Sequence, residues 1–198
     1  LSGTITSALV TRDVGTAIPQ ADALLEGETR IDVSVDLQGV DDISVTSIAV
    51  SNKALVAKGN ARYRQNELSS SLTTSLADLA KVDPQLAGSL ELEASTEGPI
   101  DALEVQAVAS SKQIMLAGTP LDDLKLSAEA TANPAAPTAK ITSSASLNGQ
   151  PIAVDVELTS KDGGASVSPL SVKLAGNTVT GELSLADLDK PVETLKGT

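Results

Sequence analysis

The sequence predicts an all-β chain of many short, mostly antiparallel strands, each apolar on one face and polar on the other. Three observations predict it: apolar and polar residues alternate with a period of two along most of the chain, Gly- and Pro-containing turns separate the alternating runs, and helical patterns are scarce. Two solutions then remain for the apolar face. The sheet folds onto itself as a β-sandwich or barrel, or it curls into an open trough whose inner face takes an apolar ligand.

The elements follow in order. The opening "LSGTIT" has strand patterning but no initial Met, and the chain stops abruptly at "ETLKGT", so a segment of a longer protein is expected. In "IDVSVDL", residues 31–37, Ile31, Val33, Val35 and Leu37 occupy alternate positions with polar residues between them. Leu68, Leu72, Leu76 and Leu79 fall at helical spacing, which allows a short helix through "SLADLAK"; the preceding "SSSLTTS" and the following Pro84 oppose it. Leu90 and Leu92 alternate with Glu91 and Glu93, and Leu103 and Val105 lead a run through Ala107 and Ala109. Leu124 and Leu126 begin another, residues 141–147 form the next, and Ile152, Val154, Val156 and Leu158 repeat the first pattern in "IAVDVEL". Val172 with Leu174, and Leu183 with Leu185, complete the series. "LEGET", "TEGP", "LAGTP", "NPAAP", "NGQP" and "KDGGAS" read as turns between them.

The chain also repeats itself. Leu25 and Gly27 align with Leu147 and Gly149. One residue less of offset aligns residues 31–37 with 152–158, and the first offset then returns for Val45, Ile48, Val50 and Gly59 against Val167, Leu170, Val172 and Gly181. "SLADLAK" recurs as "SLADLDK", which implies an internal duplication of residues 22–81 and 144–190 inside one repetitive segment spanning 1–198. The first copy carries an extra strand around "NARYRQNELSS". A smaller frame links "PIDALEV" from Pro99, "PLDDLKL" from Pro120 and "PVETLK" from Pro191.

Composition narrows the function. The apolar 41% is nearly all Ala, Leu, Val and Ile, with one Met, one Tyr, and no Phe or Trp. Such residues pave a surface well but fill a deep interior poorly, because aromatics supply the largest single burials. Cys and His are absent, which removes disulfides, thiolate catalysis, imidazole bases and the common zinc sites. A formal charge of −12 argues against nucleic acid as a partner and against anionic membrane surfaces. No apolar run is longer than residues 54–57 or 114–117, too short to span a bilayer.

No catalytic or cofactor site emerges, and the chain is read as a non-enzyme. The acid pairs Asp41–Asp42 and Asp122–Asp123 are expected in hairpin turns, and neighbours on a strand point to opposite faces. "DLDK" and "KDGG" lack the spacing of a calcium loop, and no phosphate-binding Gly loop is present. Arg62 and Arg64 flank Tyr63 in the one basic-aromatic cluster, expected as solvated arginines on a strand edge.

The stretch "APTAKITSSASLNGQPIAVDVELTSKDGGASVSPLSVKLAGNTVTGELSLADL", together with "LADLAKVDPQLAGSLELEASTEGP", resembles the repetitive β region of the TamB family. These translocation and assembly module subunits belong with the AsmA-like proteins of Gram-negative envelopes. The resemblance covers about residues 21–198 and rests on strand style and turn chemistry. It implies a periplasmic protein anchored in the inner membrane, with strands forming a long, curved, open β-taco or half-pipe groove of apolar interior. It further implies phospholipid acyl chains as ligand, phospholipid transport between the inner and outer membranes, and support of outer-membrane protein assembly with a TamA-type barrel as partner of the parent protein. The apolar strand residues named above, from Ile31 to Leu185, would then line the groove. The alternative function is a β-repeat adhesin or surface-structural module that binds no lipid. Exposed terminal strands of an open sheet also predict edge-to-edge self-association.

Overall fold

The computed structural model describes residues 2–15, 19–133, 135–161, 164–185 and 195–197. The alternating runs form one antiparallel sheet of 14 strands. In chain order they are β1 (Gly3–Arg12), β2 (Glu28–Leu37), β3 (Asp42–Ser51), β4 (Leu55–Arg64), β5 (Glu67–Leu76), β6 (Leu86–Gly88) and β7 (Leu90–Pro99). The second half continues with β8 (Leu103–Leu116), β9 (Thr119–Ala132), β10 (Thr138–Leu147), β11 (Gln150–Lys161), β12 (Gly164–Leu174), β13 (Asn177–Leu185) and β14 (Leu195–Gly197). Strands pair in sequence order apart from β6, which pairs the far half of β8 and so prolongs β7; β1 and β14 are not neighbours, and the sheet is open.

Short turns make this meander possible. The loops at Gln65–Asn66, Ala117–Gly118, Asn148–Gly149 and Ala175–Gly176 all have positive φ at both residues. That is the type I′ geometry whose twist matches the flanking strands. "LAGTP" and "NGQP" thus turn where the sequence predicts. "TEGP" does not: it is still strand at the end of β7, and the chain reverses over residues 100–102. Asp162 and Gly163 of "KDGGAS" and Pro134 in "NPAAP" lie outside the described residues, whereas Gly164 opens β12 opposite Lys161.

Two expectations are corrected. Leu68, Leu72 and Leu76 belong to β5, because a spacing of four is also two strand periods, and they share one face of the sheet. Only Leu79–Lys81 winds helically, as a 3-10 turn capped by the Asp78 carboxylate, which accepts from the Ala80 N–H. Asp122 and Asp123 lie inside β9 rather than at a hairpin, where Asp123 adopts a positive φ at a kink shared with β8. There Asp122 Oδ1 accepts a 2.7 Å hydrogen bond from Gln113.

The two segments that match in sequence each contribute three consecutive antiparallel strands, β2 to β4 and β11 to β13. The bulge between Val45 and Ile48 has its counterpart between Val167 and Leu170, and Gly59 faces Ile48 as Gly181 faces Leu170. The strand expected around "NARYRQNELSS" is β5, which follows β4 before "SLADLAK". By contrast, the Pro99 and Pro120 frames differ: the first leads through a turn into β8, whereas the second lies within β9. The acidic half of "SLADLDK" and the start of "PVETLK" fall outside the described residues.

Little of the chain is interior. Leu79, Ala109 and Ile114 are the buried apolar residues among those described. The accessible surface is 12590 Å² for a 20.0 kDa chain, where about 8,700 Å² is expected of a compact monomer of that mass. The most enclosed polar group sits in a cap at one end of β1 to β7, formed by the helix α1 (Pro19–Leu24), the 3-10 turn and the β3–β4 loop. Thr29 is fully buried there; its hydroxyl donates to the Leu25 carbonyl and accepts from Asn52 Nδ2. Asn52 also donates to the Leu24 carbonyl and accepts from the N–H groups of Ala54 and Leu55. Lys81 pairs with Glu26 across the same cap, which raises its pKa through the hydrogen bond.

Candidate functional site: one apolar face

Residues directly opposed in an antiparallel pair point to the same side, so the register traces which side chains share a face. From Ile5 and Leu9 of β1 the trace passes to Val35 and Ile31 of β2, and Ile31 and Val33 of β2 pair in turn with Val50 and Ile48 of β3. It continues through Ala57 and Gly59, Thr74 and Leu72, and Leu92 and Ala94. Ala109 and Ala107 of β8 connect it to Leu126 and Ala128, and Ile141 connects it to Val156, Leu170 and Gly181.

Every predicted groove residue falls on this face: Ile31, Val33, Val35 and Leu37 on β2; Leu90 and Leu92 on β7; Leu103 and Val105 on β8; Leu124 and Leu126 on β9. So do Ile152, Val154, Val156 and Leu158 on β11, Val172 and Leu174 on β12, and Leu183 and Leu185 on β13. They are half-buried, except Leu174 and Leu183, which are exposed. Sequence reasoning left out much of the same face, notably Ile5, Leu9, Ile43 and Tyr63, although their strands show the same alternation.

The face carries no charged side chain along its traced rows. Its size is set by strand spacing: thirteen strands about 4.8 Å apart and about ten residues long at about 3.3 Å each span on the order of 1,900 Å². Monomeric soluble proteins rarely expose more than about 300–600 Å² of contiguous apolar surface. Covering is therefore the physical problem this chain poses.

The opposite face is polar. Glu93, Gln106, Glu129 and Lys140 stand across it, and Glu97 faces Glu104 directly. The hollows of about 260 Å³ among Glu104, Glu129, Lys140 and Glu157, and about 410 Å³ among Glu91, Lys112, Asp123 and Lys125, open on this side and are gaps between long side chains. Arg30 binds Asp32 through two hydrogen bonds of 2.6 and 3.0 Å, which hold the Asp32 carboxyl below its usual range. Arg62 and Arg64 both reach Asp42, at 3.2 and 3.8 Å. They lie at the end of an interior strand rather than on a sheet edge, and Tyr63 between them points to the apolar side. Asp41 sits in the β2–β3 turn as expected, its carbonyl accepting from the Gln65 N–H. Among the described residues no group of acidic side chains converges to hold a metal ion, and no helix is long and apolar enough to cross a membrane.

Compared with protein-family models, with curated proteins and with solved structures, the chain matches none.

Proposed function

We propose that the apolar face binds phospholipid acyl chains, and that the sheet curls around them as the half-pipe groove of a TamB-like envelope protein. In this reading the segment lies in the periplasm of a Gram-negative bacterium and belongs to a protein anchored in the inner membrane. It shields lipid in transit between the two membranes, and through a TamA-type barrel the parent protein supports outer-membrane protein assembly. The observation that carries the reading is the continuity across the sheet of one apolar face, part half-buried and part exposed, without a charged side chain along its traced rows. A chain of methylenes gains about 25 cal/mol per Å² against such a face wherever it lies. It meets no polar grip that fixes it at one place, which suits movement along the sheet.

The test is native mass spectrometry and photo-crosslinking of lipid to the purified chain. Val33→Asp and Val156→Asp place carboxylates on the apolar face, while Ser34→Asp places one on the polar face. Retained lipid should fall severalfold in the first two and stay unchanged in the third. Unchanged lipid in all three, or none in the parent chain, removes the lipid reading and leaves the adhesin or surface-structural module.

A further inference from the structure

We infer that a phospholipid on the apolar face lies along the strands from β2 to β7, with its acyl-chain ends against the cap and its headgroup at the opposite ends of those strands. The inference rests on the acyl-chain reading above and adds a direction to it. The cap stands on the apolar side. Thr29 and Asn52 come next in the register that pairs Ile31 with Val50, so their side chains rise from the same side as that pair. There they bind each other and the Leu25 and Leu24 carbonyls at the end of α1. Thr29 is fully buried under these contacts, and the 3-10 turn, with Leu79 buried in it, is joined to the same segment through Lys81 and Glu26.

The two ends of these strands differ in what they offer an amphiphile. Most of the cap's polar side chains are spent within it: Asn52 makes four hydrogen bonds, Asp78 accepts from Ala80, and Lys81 pairs with Glu26. Among the described residues no buried side-chain nitrogen or oxygen lacks a partner. A headgroup pressed against the cap would lose water without gaining hydrogen bonds, which is costly. At the far end Arg64 closes β4, and with Arg62 it shares the one Asp42 carboxylate. Asp41, Gln65, Asn66 and Glu67 stand exposed in and beside the turns there. Both signs of charge meet water at that end, which suits the phosphate and ammonium of a zwitterionic headgroup. The length fits as well. The ten residues of β5 span about 33 Å at about 3.3 Å each, against about 15 Å for an acyl chain filling half of a bilayer core of about 30 Å.

Single cysteines test the direction in the full chain, which has none of its own. Ser70 and Thr74 share the apolar face of β5, opposite Ala61 and Ala57 of β4, and Thr74 is the nearer to the cap. Four residues of strand set them about 13 Å apart. Thr73 faces the polar side. Ser70→Cys, Thr74→Cys and Thr73→Cys are each labelled with bimane and given phosphatidylcholine vesicles whose lipid carries a nitroxide quencher, either near the methyl end of an acyl chain or near its glycerol end. The methyl-end quencher should dim the label of Thr74→Cys severalfold more than that of Ser70→Cys, and the glycerol-end quencher should reverse the order. Equal quenching at these two positions by both lipids, or the opposite order, overturns the direction and leaves lipid binding standing. No quenching by either lipid, or quenching as strong at Thr73→Cys, removes the acyl-chain reading and this inference with it.

Discussion

Asn52 ties three separate pieces of chain with four hydrogen bonds, and removing it measures what holds the cap. Its Nδ2 donates to the Leu24 carbonyl at 2.7 Å and to Thr29 Oγ1 at 3.2 Å, while its Oδ1 accepts from Ala54 and Leu55 at 2.9 and 2.8 Å. Each such bond contributes about 0.5–1.5 kcal/mol net, and water replaces part of that in a half-buried loop, so Asn52→Ala should cost about 2–3 kcal/mol. Asn52→Asp keeps both acceptor bonds but sets a carboxylate oxygen where Nδ2 donates, 2.7 Å from the Leu24 carbonyl oxygen, so it should cost at least as much as Asn52→Ala. With one Tyr and no Trp, urea unfolding is best followed by far-UV circular dichroism, with hydrogen exchange at Ala54 and Leu55 as the local readout. Exchange should accelerate at both amides in Asn52→Ala and stay near the parent rate in Asn52→Asp. Protected amides in the alanine variant, or equally fast exchange in both variants, would falsify the assignment of the cap to this side chain.

Two further expectations follow from the same geometry. A Cβ on Gly59 would stand 2.6 Å from the Ser71 carbonyl oxygen, a backbone atom of the paired strand, so Gly59→Ala should destabilise by about 1–3 kcal/mol as β4 and β5 are forced apart. Gly88→Ala meets the Gln113 carbonyl at the same distance and carries a positive φ of 107° as well, so it should be the worse of the two in matched urea titrations. For Asp32, whose pKa is lowered by Arg30, the stabilisation exists above the ordinary 3.8 and is lost as pH falls through the depressed value. The stability difference between the parent and Asp32→Asn should therefore be present at neutral pH and vanish in strong acid; a difference that persists there refutes the pairing.

The strands were legible because a period of two survives wherever one face is apolar. Residues 31–37 and 152–158 lie wholly inside β2 and β11. The same periodicity hid β5, since Leu68, Leu72 and Leu76 satisfy helix and strand alike when Ser and Thr fill the positions between them. Bulges were illegible for a related reason: Val45 with Ile48, and Leu121 with Leu124, share a face at a spacing of three, which breaks the alternation that reveals a strand. Asn52 gave no signal at all. Its partners at Leu24 and Thr29 are distant in sequence, and an Asn between two strands reads as an ordinary turn residue.

A sheet whose strands touch chiefly their hydrogen-bonded neighbours gains stability pair by pair, each cross-strand contact contributing about 0.2–1 kcal/mol. Such a sum grows with strand number, as in other repeat architectures, but lacks the large term that a buried interior supplies. The missing term has one place to come from, the face where Ile, Val, Leu and Ala stand half-buried or exposed. Along it small residues at Ala57, Gly59, Ala94, Ala107 and Ala128 alternate with the larger Leu72, Leu92 and Leu126, which gives the face an uneven relief. A flexible hydrocarbon chain can follow that relief at any position along it, whereas a rigid protein surface must match it at one.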